Sequence, residues 1–393
     1  MLSLRVLRAK LKDFTRLIWT VETRDDDLVL KDEKKEHRFP YLWLRDNCQC
    51  GSCFHEASHS RIIDIEHFDF NAQPLEATLA NDKVNVRWHD SHSSSYQLSW
   101  LLERQFNPDQ ATDNYQPHPR PWSAEDFSKI LRRFQYHQLL DSDSVLLDWL
   151  ESLAVDGVAL VEGAQTRPGQ IQPLADKVAF LKKTYYGETF TVQAKPGTSN
   201  VAYLSGSLQL HTDLPYYHYK PGVNMLHCIV QAAGFGGQSI LADGLEACDW
   251  LRETHPQHYW ILTTVNVDWE DIVEEDGRRF HTIYRAPVIC ENNRGEVERI
   301  NWSQPQRSSH FHVPVAQVSP WYRAVQQFTH YIHSHNCKVQ LRINPGDILT
   351  FNNLRVLHGR SDYKGERHLE GAYLDWDLVY SRIRVLKEQS GLS

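Results

Sequence analysis

The chain has 393 residues, of which 41% are hydrophobic and 23% are charged. These values are typical of a globular protein with two or three domains. The formal net charge of −8 at pH 7 argues against general binding to nucleic acid or to anionic membranes, since both require a basic surface. No long uninterrupted run of apolar residues is present, so the sequence predicts no transmembrane helix.

The first twenty residues are basic and amphipathic, and Asp13 is their single acidic residue. An organelle presequence has this character, but we favour a short tail that leads into a first strand at residues 17–23. The seven cysteines are odd in number, and Cys48, Cys50 and Cys53 lie close together. This pattern differs from that of a disulfide framework and indicates a reducing compartment, which we expect to be the cytoplasm.

Residues 17–105 are predicted to be rich in β-structure. Residues 17–23 and 28–31 are typical of the two strands of a hairpin, and residues 84–88 alternate as a half-buried strand does. Three prolines fall within residues 117–121, a composition that fits neither a helix nor a central strand. The sequence therefore predicts an N-terminal domain at 1–116, a linker at 117–123 and a second domain at 124–393.

The second domain combines short strands with flanking helices. Residues 142–153 begin with polar residues, have apolar residues near helical spacing and are followed by Gly157, which together predict a helix. Another helix is predicted to begin at Ser319, with Pro320 in its first turn. Strands are predicted at 158–161, 226–233, 239–242, 339–343, 349–351, 355–358 and 367–373. The segments 226–233 and 239–242 are predicted to form a strand–turn–strand unit, and the whole pattern predicts a β-sandwich or jelly roll decorated by helices.

A candidate metal site begins with His211 and Asp213. In a strand, residues i and i+2 point to the same face, so an imidazole and a carboxylate at this spacing can reach one cation. The same spacing occurs at His67 and Asp69, where no third ligand is evident and we expect no metal. The pair alone is a weak signal, and its meaning depends on residues further along the chain.

His358 and Arg367 supply the missing partners. Two imidazoles and one carboxylate can hold one face of an iron(II) ion and leave the opposite face open, so we predict iron at His211, Asp213 and His358. Arg367 would grip the far carboxylate of a dicarboxylic co-substrate, with Arg360 as a rival for this role. If residues 367–373 form a strand, Gly371 shares a face with Arg367 and is expected to leave room there for a ligand.

A second metal site is predicted from Cys48-Gln-Cys-Gly-Ser-Cys53. Three thiolates and one imidazole make a closed tetrahedral zinc site, which leaves no position for a reactive water molecule. Such a site would be structural, and its metal would contribute folding energy. Spacing alone does not choose the fourth ligand among four nearby histidines: His55, His59, His89 and His92.

The motifs, taken together and in order, resemble those of a known enzyme family. They are Leu42-Trp-Leu-Arg-Asp-Asn-Cys48, His211-Thr-Asp-Leu-Pro215, Gly236-Gly-Gln-Ser239, Asn344-Pro-Gly-Asp347, Leu357-His-Gly359 and Arg367-His-Leu-Glu-Gly-Ala-Tyr373. Over nearly its whole length the chain is similar to the iron(II)/2-oxoglutarate dioxygenases of the taurine-dioxygenase type, and within them to the γ-butyrobetaine and trimethyllysine dioxygenase family. The resemblance implies a double-stranded β-helix (jelly-roll) core with a small zinc-binding N-terminal domain. It also selects His92 as the fourth zinc ligand.

The resemblance further implies a reaction. Iron(II) would be the catalytic metal and 2-oxoglutarate the co-substrate, with Arg367 holding its distal carboxylate, Ser239 assisting, and ascorbate as reductant. The implied substrate is γ-butyrobetaine, which would be hydroxylated at C3 to L-carnitine while succinate and carbon dioxide are released. The family resemblance also implies a homodimer.

A trimethylammonium group has no N–H donor, so an aromatic cage is the usual way to bind it. By resemblance the cage is Tyr186, Phe190, Tyr203 and Tyr373, and Asn200 and Ser303 contact the substrate carboxylate. The family often has Trp in place of Phe190, and some relatives have Asn in place of Ser303. Phe is the weaker cation–π partner, so the first difference predicts lower affinity or a wider pocket. For Tyr185, Tyr216 and Tyr217 we favour packing in the core or in a lid.

Two alternatives stay open. Trimethyllysine could be the substrate instead, but its α-amino group would require an acidic neighbour that the sequence does not identify. A non-catalytic, zinc-stabilised binding protein with an inactive jelly roll is the other alternative. The presence of all four residues of the candidate centre argues against it: His211, Asp213, His358 and Arg367.

Overall fold

The computed structural model describes residues 19–106, 117–193, 205–275 and 277–391. The chain divides into two compact units, Met1–Thr112 and Asp113–Ser393. Each unit has a hydrophobic core of its own. Within the described ranges, no helix has the length and apolar character needed to cross a membrane.

The N-terminal unit is built from short antiparallel sheets and short helices. Its strands are β1 (Thr20–Thr23), β2 (Asp27–Lys31), β3 (Glu36–Pro40), β4 (Phe54–His55), β5 (Ser60–Arg61), β6 (Pro74–Ala80), β7 (Lys83–Trp88) and β8 (Ser93–Gln97). Its α-helices are α1 (Tyr41–Asp46) and α2 (Leu98–Leu102). The strands pair in the orders β1-β2-β3, β4-β5 and β6-β7-β8. The predicted hairpin is confirmed at 20–23 and 28–31, residues 17 and 18 lying outside the described ranges, and the strand predicted at 84–88 is confirmed as well.

The core of this unit follows from the alternation seen in the sequence. Val84, Val86 and Trp88 of β7 are almost completely buried, and the residues between them are not. They pack in one cluster with Leu28 and Leu30 of β2. The period of two therefore gives one apolar and one polar face, as expected for a half-buried strand.

The second unit contains two main sheets and two hairpins. Its strands are β9 (Arg132–Gln135), β10 (Val158–Glu162), β11 (Thr189–Gln193), β12 (Leu208–His211), β13 (Val223–Val230), β14 (Ser239–Asp243), β15 (Val267–Glu275), β16 (Arg278–Ala286), β17 (Ile289–Glu291), β18 (Val297–Ile300), β19 (Lys338–Leu341), β20 (Ile348–Asn352), β21 (Val356–Arg360) and β22 (His368–Leu374). One main sheet has the order β11-β22-β13-β20-β10-β9, and the other has the order β12-β21-β14-β19. The pairs β15-β16 and β17-β18 form the hairpins.

The two main sheets face each other across an apolar layer. Leu349 and Leu369 from the larger sheet lie in one buried cluster with Leu241 and Val356 from the smaller sheet. Strands that are neighbours in a sheet are distant in sequence, as β13 and β22 are. This arrangement is the predicted double-stranded β-helix.

Helices cover the outside of the second unit. They are α3 (Phe127–Ile130), α4 (Tyr136–Asp141), α5 (Asp143–Val155), α6 (Ile171–Val178), α7 (Gly244–Thr254), α8 (Pro256–Thr264), α9 (Val315–Ile332) and α10 (Trp376–Gln389). Helix α5 begins where the sequence predicts, because the Ser142 side chain accepts a hydrogen bond from the Val145 N–H. Gly157, with φ of +77°, lies just beyond its end.

Two predictions about elements were wrong in detail. Helix α9 begins at Val315 rather than at Ser319, so Pro320 lies inside it. Proline has no backbone N–H, so the helix lacks one hydrogen bond at this position. The packing of the buried Trp321 and Phe328 side chains stabilises the helix by more than this loss. Strands β13 and β14 follow each other in sequence as predicted but do not pair. They belong to different main sheets, so the glycine-containing segment between them crosses from one sheet to the other.

Candidate active site

The two imidazoles of the candidate centre meet because their strands are neighbours. Strands β12 and β21 are antiparallel, and His211 lies directly opposite His358. The ring centroids are 4.2 Å apart. Ligand atoms of His211, Asp213 and His358 all lie within 4.8 Å of one another. The fold thus brings together the three side chains that the sequence selected.

Asp213 is placed by a turn and not by the strand. Strand β12 ends at His211, and Leu214 has a left-handed φ of 54°, so the alternation used in the sequence argument does not reach Asp213. The Asp213 N–H instead donates to Asn353 Oδ1 at 2.7 Å. The side-chain amide of Asn353 donates in turn to the Asp213 carbonyl at 3.0 Å. This buried asparagine fixes the backbone that presents the carboxylate.

The two oxygens of Asp213 have different roles. Oδ2 accepts hydrogen bonds from Asn224 Nδ2 at 2.6 Å and from the Tyr373 hydroxyl at 2.9 Å. Oδ1 faces the imidazoles, 3.3 Å from His211 Nε2 and 3.6 Å from His358 Nε2. Because the partners of Oδ2 hold the carboxylate in place, Oδ1 is the atom available to a metal.

The surroundings of the centre favour an ionised Asp213 and a neutral His358. Burial would raise the pKa of Asp213, but the two imidazoles and the Tyr373 hydroxyl lower it to about 2. Burial, with the neighbouring His211, lowers the pKa of His358 to about 3. The backbone carbonyl of Gln209 accepts from His211 Nδ1 at 2.8 Å, which leaves Nε2 as a lone-pair donor. An ionised carboxylate and two imidazoles fit iron(II).

Arg367 is a buried cation that lacks an anion. Its side chain is 4% exposed, and within the described residues its Nε has no hydrogen-bond partner and no carboxylate pairs with it. Burial, together with the positive charge of Arg360, lowers its pKa to about 10. A buried unpaired guanidinium is costly, so the site calls for an anionic ligand.

Arg360 lines the same cavity but is held differently. Its Nη2 donates to the Gly206 carbonyl at 2.8 Å, and its guanidinium lies 4.8 Å from the centre of the Tyr363 ring. Ser239 also lines the cavity, and on β14 it lies directly opposite Arg360 of β21. These contacts give Arg360 a structural role and leave Arg367 as the better candidate for binding a carboxylate.

The rest of the cavity is largely aromatic and aliphatic. Tyr186, Phe190, Tyr373 and Ser303 line it as the sequence argument requires. The rings of Phe190 and Tyr373 are 5.0 Å apart. The Ser303 hydroxyl donates a hydrogen bond to Gln306 Oε1, and its predicted contact with the substrate carboxylate stays a prediction. Two further predicted contacts lie outside the described residues: Asn200 and Tyr203.

The predicted role of Gly371 was wrong. A Cβ atom at this position would collide with the ring of Phe190, which lies directly over the glycine. Gly371 therefore makes room for an aromatic wall of the cavity and not for the ligand itself. The register explains this, because Phe190 of β11 is paired with Gly371 of β22.

The cysteine cluster forms a compact donor set in the N-terminal unit. Sγ atoms of Cys48, Cys50 and Cys53 lie 3.2, 3.5 and 3.5 Å from His92 Nε2. All four ligand atoms are within 4.8 Å of one another. His55, another candidate from the sequence, bonds instead to Ser58 Oγ through Nδ1. Three thiols and an imidazole at these distances suit tetrahedral zinc.

Sequence reasoning missed the asparagines that support the metal site. Asn224 is fully buried on β13 among apolar residues, and an isolated amide in an apolar strand is a usable signal of a polar partner. Asn353 falls between the strands predicted at 349–351 and 355–358, where no signal marked it as a partner of Asp213. His67 is exposed and bonds to Asp64 at 2.7 Å; ligand atoms of Asp64, Glu66 and His67 lie within 4.8 Å of one another, so the expectation of no metal at His67 stays a prediction.

Comparisons with known proteins agree with this geometry. A family model described as taurine catabolism dioxygenase TauD, TfdA family, matches residues 114–373. A model described as γ-butyrobetaine hydroxylase-like, N-terminal, matches residues 20–102. Both domains of the chain therefore have counterparts in known families.

Full-length relatives extend these matches across both units. The chain is 36% identical to γ-butyrobetaine dioxygenase of Homo sapiens, covering 92% of this chain and 94% of that protein. Identity is 30% to γ-butyrobetaine dioxygenase of Pseudomonas sp. (89% and 90% covered) and 28% to mitochondrial trimethyllysine dioxygenase of Bos taurus (95% and 88% covered). On these matches the chain belongs to the γ-butyrobetaine dioxygenase family of Fe(II)- and 2-oxoglutarate-dependent dioxygenases.

Proposed function

We propose that this enzyme hydroxylates C3 of γ-butyrobetaine to give L-carnitine, with 2-oxoglutarate and dioxygen consumed and succinate and carbon dioxide released. The observation that carries the proposal is a single cavity with an unpaired buried arginine, an open His2Asp donor set and an aromatic wall. A carboxylate co-substrate and a trimethylammonium substrate have the two chemistries that this cavity complements.

Each group has a defined task in this proposal. His211, Asp213 and His358 would hold iron(II), and the chemistry that iron supplies when bound is activation of dioxygen coupled to oxidative decarboxylation of 2-oxoglutarate. Arg367, assisted by Ser239, holds the distal carboxylate of 2-oxoglutarate. The apolar lining restricts water, and the aromatic side chains orient the substrate so that C3 faces the metal site. Asn224 and Asn353 keep Asp213 in position.

Zinc at Cys48, Cys50, Cys53 and His92 is proposed to stabilise the N-terminal domain, with the domain boundary at residues 117–123 as the sequence predicts. A cytoplasmic homodimer and ascorbate as reductant belong to the same proposal. The four zinc donors occupy every position of a tetrahedron, so this metal has no catalytic part in it.

Trimethyllysine is the second candidate substrate, because its dioxygenases are also relatives of this chain. Its α-ammonium group would require a carboxylate in the cavity. Asp213 is the single carboxylate among the described lining residues, and its oxygens are already used by the metal site and by its hydrogen-bond donors. The structure therefore favours γ-butyrobetaine.

The test is an assay of the full chain with iron(II), ascorbate and 2-oxoglutarate, with γ-butyrobetaine in one arm and trimethyllysine in the other. We expect carnitine, detected by mass spectrometry, together with an equal amount of succinate in the first arm. Substrate-dependent succinate in the trimethyllysine arm alone would transfer the assignment to the second candidate. Succinate that neither compound stimulates would overturn both.

A further inference from the structure

We infer that Asp271 is a positioning residue that gives the aromatic wall its preference for a cationic substrate, an inference that rests on the proposed function. Asp271 lies on β15 and is not among the residues that line the cavity. Its carboxylate contacts the Tyr185 hydroxyl, which in turn contacts the hydroxyls of Tyr186 and Tyr216, two of the aromatic residues that line the cavity. The sequence offered no reason to select it.

A chain of hydrogen bonds joins this carboxylate to the cavity. The Tyr185 hydroxyl donates to Asp271 Oδ2 at 2.6 Å. Since that hydroxyl has one proton, its 2.5 Å contact with the Tyr216 hydroxyl requires Tyr216 to donate to Tyr185. Tyr186 has its hydroxyl 3.3 Å from that of Tyr185, and both Tyr186 and Tyr216 line the cavity.

Asp271 differs in its partners from Asp268 and Glu270, the two acidic residues that precede it on β15. Asp268 pairs with Arg285 at 2.6 Å, and Glu270 pairs with His281 at 2.8 Å. Within the described residues, no cationic side chain pairs with Asp271, whose partners are the tyrosines. Burial raises its pKa, which is the expected consequence of a carboxylate that has no positive neighbour.

This arrangement complements a cation in the cavity in two ways. Tyr185 donates its hydroxyl proton to Asp271 and receives that of Tyr216, so the carboxylate polarises both phenols through this chain of hydrogen bonds and makes the Tyr216 ring in the cavity more electron-rich. A donated hydrogen bond to a carboxylate also makes a phenol ring a better cation–π partner. The negative charge then acts across one layer of side chains, where water does not screen it fully.

The cavity thus has a positive charge and a negative charge beside it, each of which complements one of the two ligands. Among the residues that the structure describes, Arg367 has no paired carboxylate and is available to the carboxylate of the co-substrate, and Asp271 has no paired cation and lies behind the tyrosines. A neutral molecule of the same shape would gain nothing from Asp271. The inference therefore predicts discrimination between a trimethylammonium group and a tert-butyl group, which have nearly the same volume.

The test compares γ-butyrobetaine with its carbon isostere, 5,5-dimethylhexanoate. Anaerobic titration of the full chain loaded with iron(II) and 2-oxoglutarate gives a dissociation constant for each compound without turnover. Asp271→Asn keeps the shape and an acceptor for Tyr185 but removes the charge. We expect it to reduce the preference for the cation about tenfold, with an unchanged constant for the isostere. The KM for γ-butyrobetaine should rise while kcat and the KM for 2-oxoglutarate stay the same.

Glu270→Gln is the matched control, since it removes one charge from the adjacent residue on the other face of β15 and should leave the preference intact. Tyr185→Phe is a second variant, which breaks the chain of hydrogen bonds and should give a smaller loss of preference in the same direction. If the wild-type protein prefers the cation and both Asp271→Asn and Tyr185→Phe keep that preference, the inference is wrong and the proposed function stands. A wild-type protein that does not distinguish the two compounds would overturn both.

Discussion

The cysteine–histidine group and the His2Asp group, the candidate zinc and iron sites, are opposites in construction. Cys48, Cys50 and Cys53 lie within six residues of one another, and the set is completed by His92 with every tetrahedral position taken by protein. The His211, Asp213 and His358 set comes from two strands far apart in sequence and leaves one face of a metal free. A closed set contributes stability, whereas an open set contributes chemistry.

The residues around the two sets also differ, as expected for one set that stabilises the fold and one that takes part in chemistry. In the open set, Asp213 is held by Asn224, Asn353 and Tyr373, and Arg367 lies buried in the same cavity with no carboxylate paired to it in the described part of the chain. The contacts to Asp213 orient a metal ligand, and Arg367 provides a positive charge to which an anion can bind. A structural metal has no need of a nearby unpaired charge, because nothing binds beside it. Removing a ligand from each set should therefore have different consequences.

The largest effect is expected for His358→Ala. Loss of one metal ligand should reduce kcat/KM for γ-butyrobetaine by about a thousandfold or more, which corresponds to ~4 kcal/mol of transition-state stabilisation. The protein should stay folded, with a thermal midpoint within a few degrees of the wild type, because His358 Nδ1 has no hydrogen bond to lose. Steady-state kinetics and thermal unfolding measure the two quantities. His67→Ala is the control with the same His-x-Asp spacing and should change neither; activity that survives His358→Ala would refute the metal assignment.

Cys50→Ser should act on stability. Removing one thiolate from the closed set should lower zinc content and reduce the free energy of unfolding by about 3 kcal/mol or more, since structural zinc contributes folding energy. Denaturant unfolding and elemental analysis test this. Cys290→Ser, which changes a buried thiol outside the cluster, should cost about 1 kcal/mol and leave the zinc content unchanged. Equal stability and full zinc content in Cys50→Ser would mean that the cluster does not bind metal.

The smallest of these effects separates the two arginines. Arg367→Gln should raise the KM for 2-oxoglutarate about 10- to 100-fold, because a charge-assisted bidentate contact contributes ~1.5–3 kcal/mol. Arg360→Gln should raise it less than about threefold, since Arg360 already bonds to the Gly206 carbonyl. Initial rates at varied 2-oxoglutarate measure both. A larger effect for Arg360→Gln would reverse the assignment.

Much of the fold could be predicted because its signals are local. Alternation at Val84, Val86 and Trp88 predicted a strand, and the Ser142 cap predicted the start of α5. Pro320 misled the prediction of α9, because a proline is common in a first turn but is also tolerated further inside when buried side chains compensate.

The candidate site was predictable as a set of residues but not as an arrangement. Spacing placed Asp213 on the same strand as His211, whereas a turn held by Asn353 presents it. Gly371 was assigned to the ligand, whereas Phe190 covers it. Both errors involve a partner more than a hundred residues away in the chain, and local periodicity contains no information about such a partner.

By itself the sequence determined the donor chemistry of this protein: which residues could be ligands to iron, which thiols could bind zinc, and which strands and helices form. The tertiary structure decided which candidates meet. It placed His92 and not His55 beside the thiols, left Arg367 with no paired carboxylate among the residues described, bound Arg360 to the Gly206 carbonyl, and joined Asp271 to the aromatic wall. The physical reason is that residue type and local spacing fix what a side chain can do, whereas burial and pairing depend on strands that come together only when the sheets form.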